Sequence, residues 1–398
     1  MIKRVFVPVG QGAFYYECLE VQGEQETIKV VYDCGSSTDE ELLEKRINEE
    51  FKEGEKIDAL IISHLDEDHI NGIPHLLARC HVKKIYMPLI TCAKDLNKIS
   101  MQIKGADKFT IDFIDNPERA LGNDGPKVMY IKEYVSSYHG KVESRDIGIE
   151  NEYIDRNNLI ESGYNIMEDI NDNMVATSNR ANLNWEYIPY NFRQSERIKN
   201  LKEALNDEFG KFIDINTLGV MWENGSKDEK DKIKKAYKKV PGTLNTNSMT
   251  LFSGINVMNE NREPLMKVNR VAGKTCNCSN WSNGVYCCTH CWNKFCGILP
   301  GCLYMGDYDA SGPKKWETLR DAYEEYWKSI GCVQVPHHGS KHNFNEQLLN
   351  NNWEYIISVG KKNRYRHPHA KVMREFMLKN IMPYIITEES QKLIMWLK

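Results

Sequence analysis

Four side chains that bind metal ions in proteins, His64, Asp66, Asp68 and His69, lie within six residues of one another. They directly follow residues 57–62, a short apolar run of the kind that forms a buried strand. Because a strand fixes the backbone at its end, the neighbouring loop side chains can converge on one point. We therefore expect a metal site here; the alternative is a solvated loop or a helix cap.

The spacing H-x-D-x-D-H resembles the H-x-H-x-D-H loop of the metallo-β-lactamase superfamily, and within it the hydrolase domain of the ComEC competence proteins. Asp66 stands where the common pattern has a histidine. A carboxylate in place of an imidazole adds oxygen and negative charge, which shifts the preference from zinc alone towards harder ions such as manganese. The resemblance implies an α/β fold, a metallo-β-lactamase-like αββα sandwich.

The beginning of the chain resembles the opening of the ComEC domain. A strand, the tetrapeptide V-G-Q-G, further strands and the motif D-x-G follow in that order, and the motif is Asp33-Cys34-Gly35. In the superfamily this Asp hydrogen-bonds near a metal ligand, so the resemblance implies that Asp33 supports the site. The alternative is a turn residue before Gly35.

Two segments in the second half of the chain resemble further motifs of the ComEC domain. The polar residues that open the strand at 244–252 resemble the N-N-x-S step, where other superfamily members supply a third histidine. Asn245 and Ser248 offer hydrogen bonds to a phosphate or a water there. Asp307 follows the apolar residues 301–305. Across the superfamily an Asp at this point bridges two metal ions.

The last two steps supply histidines. His337-His338-Gly339-Ser340 resembles the family's H-H-G-S step, so His337 or His338 is the last metal ligand, with a slight preference for His337. Ser340 offers a hydroxyl to phosphate oxygens. Residues 363–369 resemble the N-R-Y-G-H-P step, in which His367 is a proton donor or phosphate clamp, or alternatively a turn cap. Arg366 replaces the glycine that would supply a positive φ.

The spacing of these steps predicts the domain organisation. Ser248 comes 180 residues after Asp68, far more than a bare domain needs. We expect the first half of the fold in residues 1–94 and a mostly helical inserted region, which shapes the entrance, in 95–240. The second half then occupies 241–398 and carries a small Cys-rich insertion at about 260–302.

The 12 cysteines fall into two groups. The scattered ones, which predict reduced core thiols, are Cys18, Cys34, Cys80, Cys92 and Cys332. The other seven crowd between Cys276 and Cys302, and four of them have the spacing of a structural zinc site: Cys276, Cys278, Cys288 and Cys291. Eight strand residues at ~3.3 Å each separate this cluster from the active centre by roughly 25 Å. We therefore expect a lid or a docking element for a protein partner.

A net charge of −4 gives no general attraction to nucleic acid, so any such contact needs a local patch. The predicted helix at 226–239 is rich in lysine. Such a run is usually a solvated face; the alternative is a nucleic-acid contact through Lys234, Lys235, Lys238 and Lys239.

The composition, 41% hydrophobic and 27% charged, is that of a soluble globular protein. No apolar stretch reaches 18 residues and no signal-peptide core is present, so we expect a cytoplasmic protein without membrane contact. ComEC proteins are membrane channels; this chain would be the hydrolase part alone.

The combined pattern predicts a metal-dependent hydrolase. Two divalent ions, Mn²⁺ or Zn²⁺, would activate a water, and Asp68 belongs to both the ligand set and the catalytic set. The resemblance implies a phosphodiesterase or nuclease acting on DNA, RNA or a nucleotide. The alternatives are hydrolysis of a small ester, thioester or lactam, or a non-catalytic binding module.

Overall fold

The computed structural model describes residues 2–20, 27–90, 94–135, 154–172, 184–193, 195–240, 247–255, 268–271 and 299–397. Its strands are β1 (Ile2–Phe6), β2 (Gly12–Glu20), β3 (Thr27–Ser36), β4 (Glu55–Ile57), β5 (Ala59–Ile61), β6 (Cys80–Val82), β7 (Lys84–Pro88), β8 (Lys127–Ile131), β9 (Leu159–Ile160), β10 (Trp185–Arg193), β11 (Asn247–Ile255), β12 (Val268–Val271), β13 (Gly301–Tyr304), β14 (Ile330–Gln334), β15 (Glu354–Ser358), β16 (Tyr384–Ile386) and β17 (Leu393–Leu397). Its α-helices are α1 (Glu40–Glu50), α2 (Glu67–Ile70), α3 (Ile73–Arg79), α4 (Lys94–Lys104), α5 (Lys108–Asp115), α6 (Pro117–Leu121), α7 (Ile166–Asp172), α8 (Ser195–Phe209), α9 (Leu218–Asn224), α10 (Lys227–Lys239), α11 (Pro313–Ala322) and α12 (Ala370–Leu378).

Two large sheets form the centre of the fold. The first has the strand order β12, β17, β1, β2, β3, β5, β7, β8, β9, and the second has the order β10, β11, β13, β14, β15, β16. One buried cluster contains side chains of both sheets, among them Tyr15 and Tyr304, whose ring centroids are 6.0 Å apart. The core therefore lies between the two sheets.

Helices cover the outer faces of both sheets. Leu43 of α1 shares a buried cluster with Leu60 of the first sheet. Trp316 of α11 and Phe376 of α12 share another with Val333 of the second sheet. The order of layers is helix, sheet, sheet, helix, which confirms the predicted metallo-β-lactamase-like α/β sandwich.

Parallel strands bring the predicted site together. β3, β5, β7 and β8 are parallel neighbours in the first sheet, and β13 to β16 are parallel neighbours in the second. The metal loop follows β5, Asp307 follows β13, and the two consecutive histidines follow β14. Ligands of open α/β sheets bind beyond the carboxyl ends of the strands, so the fold places these segments at one edge.

A buried ion pair ties the sheets together behind the site. Arg4 Nε of β1 lies 2.6 Å from Glu17 Oε1 of β2, and both side chains are almost fully buried. Three hydroxyl groups donate to the same carboxylate: Tyr187 Oη, Ser253 Oγ and Tyr304 Oη. Because all three come from the second sheet, the network holds the two sheets in register; a buried ion pair requires such complete hydrogen bonding.

Residues 95–240 contribute to both sheets as well as supplying helices. β8 and β9 extend the first sheet, and β10 forms an edge of the second. The helix expected at 226–239 is confirmed as α10, and α8 precedes it. The division into halves and insertions stays a prediction.

Cys18, Cys34, Cys80 and Cys332 are free thiols, as predicted. Cys302 departs from the crowded group, because it is fully buried in β13 opposite Cys332 of β14. Cys92 and the other six crowded cysteines lie outside the described residues. Among the described helices, none combines the length and the apolarity that crossing a membrane requires.

Candidate metal centre

The predicted loop lies at the edge where the two sheets meet. After β5, the chain turns into the short helix α2, which carries Asp68 and His69. His64, His69 and Asp307 are at most 3% exposed. Gly306, just before Asp307, has a φ of +50°, and a Cβ atom at this residue would lie 2.6 Å from Ser63 Cβ. Glycine thus lets the second sheet approach the metal loop closely.

Four imidazoles are oriented through their Nδ1 atoms. Each Nδ1 is hydrogen-bonded to an oxygen, which fixes the ring and leaves Nε2 facing the centre, as is usual for histidine ligands of metal ions. The partners are Ser63 Oγ at 2.8 Å for His64, Asp33 Oδ2 at 2.8 Å for His69, Asn343 Oδ1 at 3.0 Å for His337, and Ser358 O at 2.8 Å for His338.

The four Nε2 atoms converge on two carboxylates. Those of His64, His69 and His337 lie 3.7, 3.7 and 3.4 Å from Asp307 oxygens, and that of His338 lies 3.3 Å from Asp68 Oδ2. In the metal loop and Asp307, four buried atoms have no hydrogen-bond partner among the described residues: His64 Nε2, His69 Nε2, Asp66 Oδ1 and Asp307 Oδ1. Buried polar atoms are rarely left unpaired, so this arrangement fits a bound cation.

Two sets of ligand atoms are compact enough to hold an ion, each with all its atoms within 4.8 Å of one another. One set is His64, His69 and Asp307, and the other is Asp68, His69 and His338. The sets share His69 and lie side by side. Such a donor arrangement of nitrogen and carboxylate oxygen suits a pair of divalent ions such as zinc or manganese.

The backbone around the centre is strained. Asp33, His337 and His338 have φ values of 53°, 48° and 55° without being glycine. Two consecutive left-handed residues aim neighbouring imidazoles at the same centre, at a cost of roughly 1–3 kcal/mol each. Strain of this kind persists where the surrounding structure enforces it, as is common at binding and active sites.

Two carboxylates and one imidazole of the cluster have strongly shifted pKa values. Burial alone raises the pKa of Asp68 and Asp307, but the imidazoles around them hold both values well below the usual range. Burial lowers the pKa of His69, yet Asp33 and Asp68 outweigh it and raise the value to about 10. A cation that binds Nε2 therefore displaces a proton from His69, so metal affinity should fall as the pH falls.

Both consecutive histidines reach the centre, so the choice between His337 and His338 as the last ligand stays a prediction. His338 Nε2 belongs to one of the two compact sets, and it is 4% exposed. His337 Nε2 lies against Asp307, and 17% of its side chain faces the cleft. His338 thus has the more enclosed position of the two.

Asp66 takes a different position from the other predicted ligands. It is buried, but it belongs to neither compact set. Its Oδ2 lies 3.5 Å from Lys104 Nζ, at the end of α4. Lys104 offsets the extra negative charge that distinguishes this loop from the common pattern.

We expect Lys104→Met to raise the affinity of chelator-stripped protein for Mn²⁺ about tenfold, because the substitution removes a positive charge beside the site. A tenfold change in affinity corresponds to ~1.4 kcal/mol. Isothermal titration calorimetry measures this affinity. Lys98→Met is the control, because Lys98 lies on the same helix and pairs with Asp115 instead. Equal affinities in wild type and Lys104→Met would show that Asp66 is remote from the ion.

The predicted hydrogen-bonding residues are placed as follows. Ser340 is 3% exposed and lines the cleft. Ser248 Oγ is buried without a hydrogen-bond partner among the described residues, and the next residue, Met249, donates its N–H to Ser63 O of the metal loop. Asn245 lies outside the described residues.

His367 faces the cleft and does not cap the turn. Its ring centroid lies 5.7 Å from that of His337. Asn363 forms the turn, accepting from His367 N–H and donating to His367 O, and His369 caps helix α12. Burial lowers the pKa of His367 to about 4, so its ring is neutral near pH 7. Arg366 takes the positive φ, 57°, that the replaced glycine would supply.

Sequence reasoning missed the residues that hold the ligands in place. Ser63 donates its backbone N–H and its hydroxyl to Asp33 at 2.7 Å each. Asn343 Nδ2 donates to Asp307 O, while Gln334 Oε1 accepts from Gly306 N–H. Only Ser63 carried a signal, because it adjoins His64 in the loop.

The centre opens into a cleft of about 1610 Å³. Asp66, Asp68 and Asp307 line its floor, beside His337. Residues of α8, α11 and the loop before α12 form its walls. The volume exceeds that of most small-ligand pockets, which suits an extended substrate.

The lysine-rich helix α10 packs on α8, and the cleft is lined by Val240 directly after this helix but by none of its lysines. Lys234, Lys235, Lys238 and Lys239 are exposed. Lys234 pairs with Asp231 at 3.7 Å and Lys239 with Glu208 at 2.6 Å. This is the behaviour of a solvated face.

Comparison with known proteins gives two distant structural matches and one family match. Yeast PDE1, in its unliganded crystal structure, is 10% identical over 99% of this chain and 99% of its own, with a TM-score of 0.39. An archaeal metallo-beta-lactamase superfamily protein from Sulfolobus tokodaii is 13% identical over 47% of this chain and 54% of its own, with a TM-score of 0.19. No curated protein matches the sequence significantly. Residues 18–116, which include the metal loop, match the family model described as the metallo-beta-lactamase superfamily, and this domain indicates a metal-dependent hydrolase.

Proposed function

We propose that this protein is a two-metal phosphodiesterase and acts as a nuclease. The observation that carries the proposal is the set of four imidazoles whose Nδ1 atoms are tied to oxygens while their Nε2 atoms converge on Asp307 and Asp68. A binding module has no need for such an array, which leaves buried polar atoms unpaired until a cation arrives.

His64, His69, Asp68, Asp307, His337 and His338 would hold the ions. Asp307 lies within 3.7 Å of three of the imidazole Nε2 atoms and would supply a carboxylate ligand. Divalent ions in such a pair lower the pKa of a water ligand and take up negative charge from phosphoryl oxygens. Asp33 and Asn343 keep the imidazoles in their orientation.

Manganese is the ion that we propose for this site, with zinc as the competitor. Asp68 and Asp307 supply a carboxylate to each ligand set, and Asp66 adds a third carboxylate to the floor where the common pattern has an imidazole. Carboxylate oxygens favour harder ions than imidazole nitrogens do. The net anionic floor also requires cations before a phosphate can approach it.

The surroundings of the floor favour a phosphodiester over a lactam, an ester or a thioester. Ser340 and His367 line the cleft beside the metal residues, and the neutral ring of His367 is suited to donating a hydrogen bond. Arg364 and Lys362 lie further out on the same wall. Phosphoryl oxygens need several donors of this kind, whereas a lactam carbonyl needs one or two.

A substrate panel tests the proposal. Chelator-stripped protein is refilled with Mn²⁺, Zn²⁺ or Mg²⁺ and assayed on bis(p-nitrophenyl) phosphate, labelled oligonucleotides, cyclic nucleotides, p-nitrophenyl acetate, a thioester and nitrocefin. We expect turnover of phosphodiesters, fastest with Mn²⁺. Turnover of esters or lactams, with none of any phosphodiester in any metal, would refute it.

We further propose a structural zinc ion in the Cys-rich insertion, held by Cys276, Cys278, Cys288 and Cys291, four residues that lie outside the described ones, and a cytoplasmic location, where thiols stay reduced. The insertion at about 260–302 would then serve as a docking element for a protein partner.

The purified protein should hold one zinc ion that survives mild chelation after the active-site ions are stripped. Cys288→Ser with Cys291→Ser should lose this ion, since two of four thiolates disappear. Elemental analysis measures it, and Cys18→Ser, a half-buried thiol elsewhere, is the control. Protein without tightly held zinc, or with disulfides between these cysteines, would contradict the proposal.

A further inference from the structure

The walls of the cleft differ in charge from its floor. Six cations from three separate segments line the walls: Arg193, Arg197, Lys314, Lys315, Lys362 and Arg364. Outside the floor, the described lining carries three carboxylates, Glu67, Asp309 and Glu388, and Asp309 pairs with Lys315. The whole chain has a net charge of −4, so this positive rim is a local feature.

We propose that this rim is the track for a single strand of nucleic acid, which lies across the cleft with the scissile phosphate on the floor and the flanking phosphates on the rim. The inference rests on the proposed function for the floor. A mononucleotide or cyclic nucleotide has no flanking phosphates and would leave the opposite walls unused, whereas cations on several walls match a backbone with repeated charges.

The first support is the position of the cations. Arg193 and Arg197 come from the end of β10 and from α8, Lys314 and Lys315 from the first turn of α11, and Lys362 and Arg364 from the loop before α12. The cations therefore come from three separate segments of the cleft lining, so a strand that lies in the cleft can contact several of them.

The second support is a row of rings that leads outwards from the metal centre. The ring of His367 contacts that of His337 and stacks on Tyr365, with an interplanar angle of 18° and centroids 5.8 Å apart. Tyr365 is 53% exposed, and the Arg364 guanidinium lies 4.9 Å from its ring centroid. An exposed aromatic ring beside a phosphate-binding floor is a stacking surface for an unpaired base.

Two variants with the same change of charge separate the rim from helix α10. The rim variant combines Arg193→Glu, Lys314→Glu, Lys362→Glu and Arg364→Glu, all at exposed positions. The matched control combines Lys234→Glu, Lys235→Glu, Lys238→Glu and Lys239→Glu, also exposed. Circular dichroism melts check that both variants are folded.

Fluorescence anisotropy of a labelled 12-nucleotide oligothymidylate then measures binding to the Mn²⁺-loaded proteins, with phosphorothioate linkages in the strand to suppress cleavage. We expect the rim variant to bind at least about 30-fold more weakly. Its slope of log affinity against log salt concentration should be shallower by about 2.8, because each of four lost phosphate contacts contributes ~0.7. The α10 variant should stay within about twofold of its parent. Unchanged binding by the rim variant, or an equal loss in the α10 variant, would overturn the track.

Tyr365 distinguishes a single strand from a duplex. Tyr365→Ala should weaken binding of the oligothymidylate about tenfold and leave binding of a duplex of the same length unchanged, while Tyr365→Phe keeps the ring and should keep the affinity. Equal effects on both nucleic acids, or tighter binding of the duplex by wild type, would refute the single strand.

Phosphodiester hydrolysis by the wild-type protein separates a failure of the track from a failure of the proposed function. If wild-type protein hydrolyses bis(p-nitrophenyl) phosphate while the rim variant binds the strand normally, the track is wrong and the phosphodiesterase stands. If wild-type protein hydrolyses no phosphodiester, the proposed function fails, whatever result the anisotropy measurement gives. The track is then no longer a substrate site either.

Discussion

Asp307→Asn is expected to lower kcat on phosphodiesters by about 10³-fold or more. Its carboxylate lies within 3.7 Å of three imidazole Nε2 atoms, so it occupies the middle of the centre. Asparagine keeps the shape and removes the negative charge that would bind a divalent ion. A bound divalent ion contributes several kcal/mol of transition-state stabilisation, and loss of ~4 kcal/mol corresponds to about three decades in rate.

Initial rates with saturating Mn²⁺ measure this effect. Asp231→Asn, which removes an exposed carboxylate on α10, is the control and should retain wild-type turnover. If Asp307→Asn keeps more than a tenth of wild-type kcat, the carboxylate does not hold the catalytic ions.

Asp33→Ala is expected to lower the free energy of unfolding by about 3–5 kcal/mol, since it breaks a fully buried charged hydrogen-bond network. Asp33 is 0% exposed and accepts hydrogen bonds from Ser63 N–H, Ser63 Oγ and His69 Nδ1. Its removal leaves three buried donors without an acceptor. Because His69 also loses its orientation, Mn²⁺ affinity should fall about 10–100-fold.

Urea unfolding measures the stability, and calorimetric titration measures the affinity. Asp33→Asn is the matched variant: asparagine tolerates the φ of 53° at this residue, so its stability loss should be smaller, while the loss of metal affinity should remain. A folded Asp33→Ala protein with wild-type stability and affinity would show that the network does not support the centre.

The local motifs were predictable because each follows a strand directly. The ligands of the metal loop are close in sequence, so a short pattern is enough to find His64, Asp68 and His69. Asp307 and the two consecutive histidines are distant along the chain, and only their order in the family resemblance pointed to them. The structure brings all of these residues together.

Contacts through space were not predictable. Lys104 lies 38 residues after Asp66, on a helix of the region that was hardest to interpret, and only tertiary packing places it beside that carboxylate. The left-handed φ values of His337 and His338 also leave no trace in the sequence, since neither residue is glycine. Short strands such as β9 were missed because an apolar pair has no periodicity to detect.

The central claim is that one site holds two neighbouring ions. Electron paramagnetic resonance of chelator-stripped protein titrated with Mn²⁺ tests it directly, because ions about 3.5–4 Å apart couple magnetically. We predict an exchange-coupled signal that saturates at two equivalents and disappears in Asp307→Asn. An isolated six-line signal at every loading, or no binding of Mn²⁺, would contradict the account.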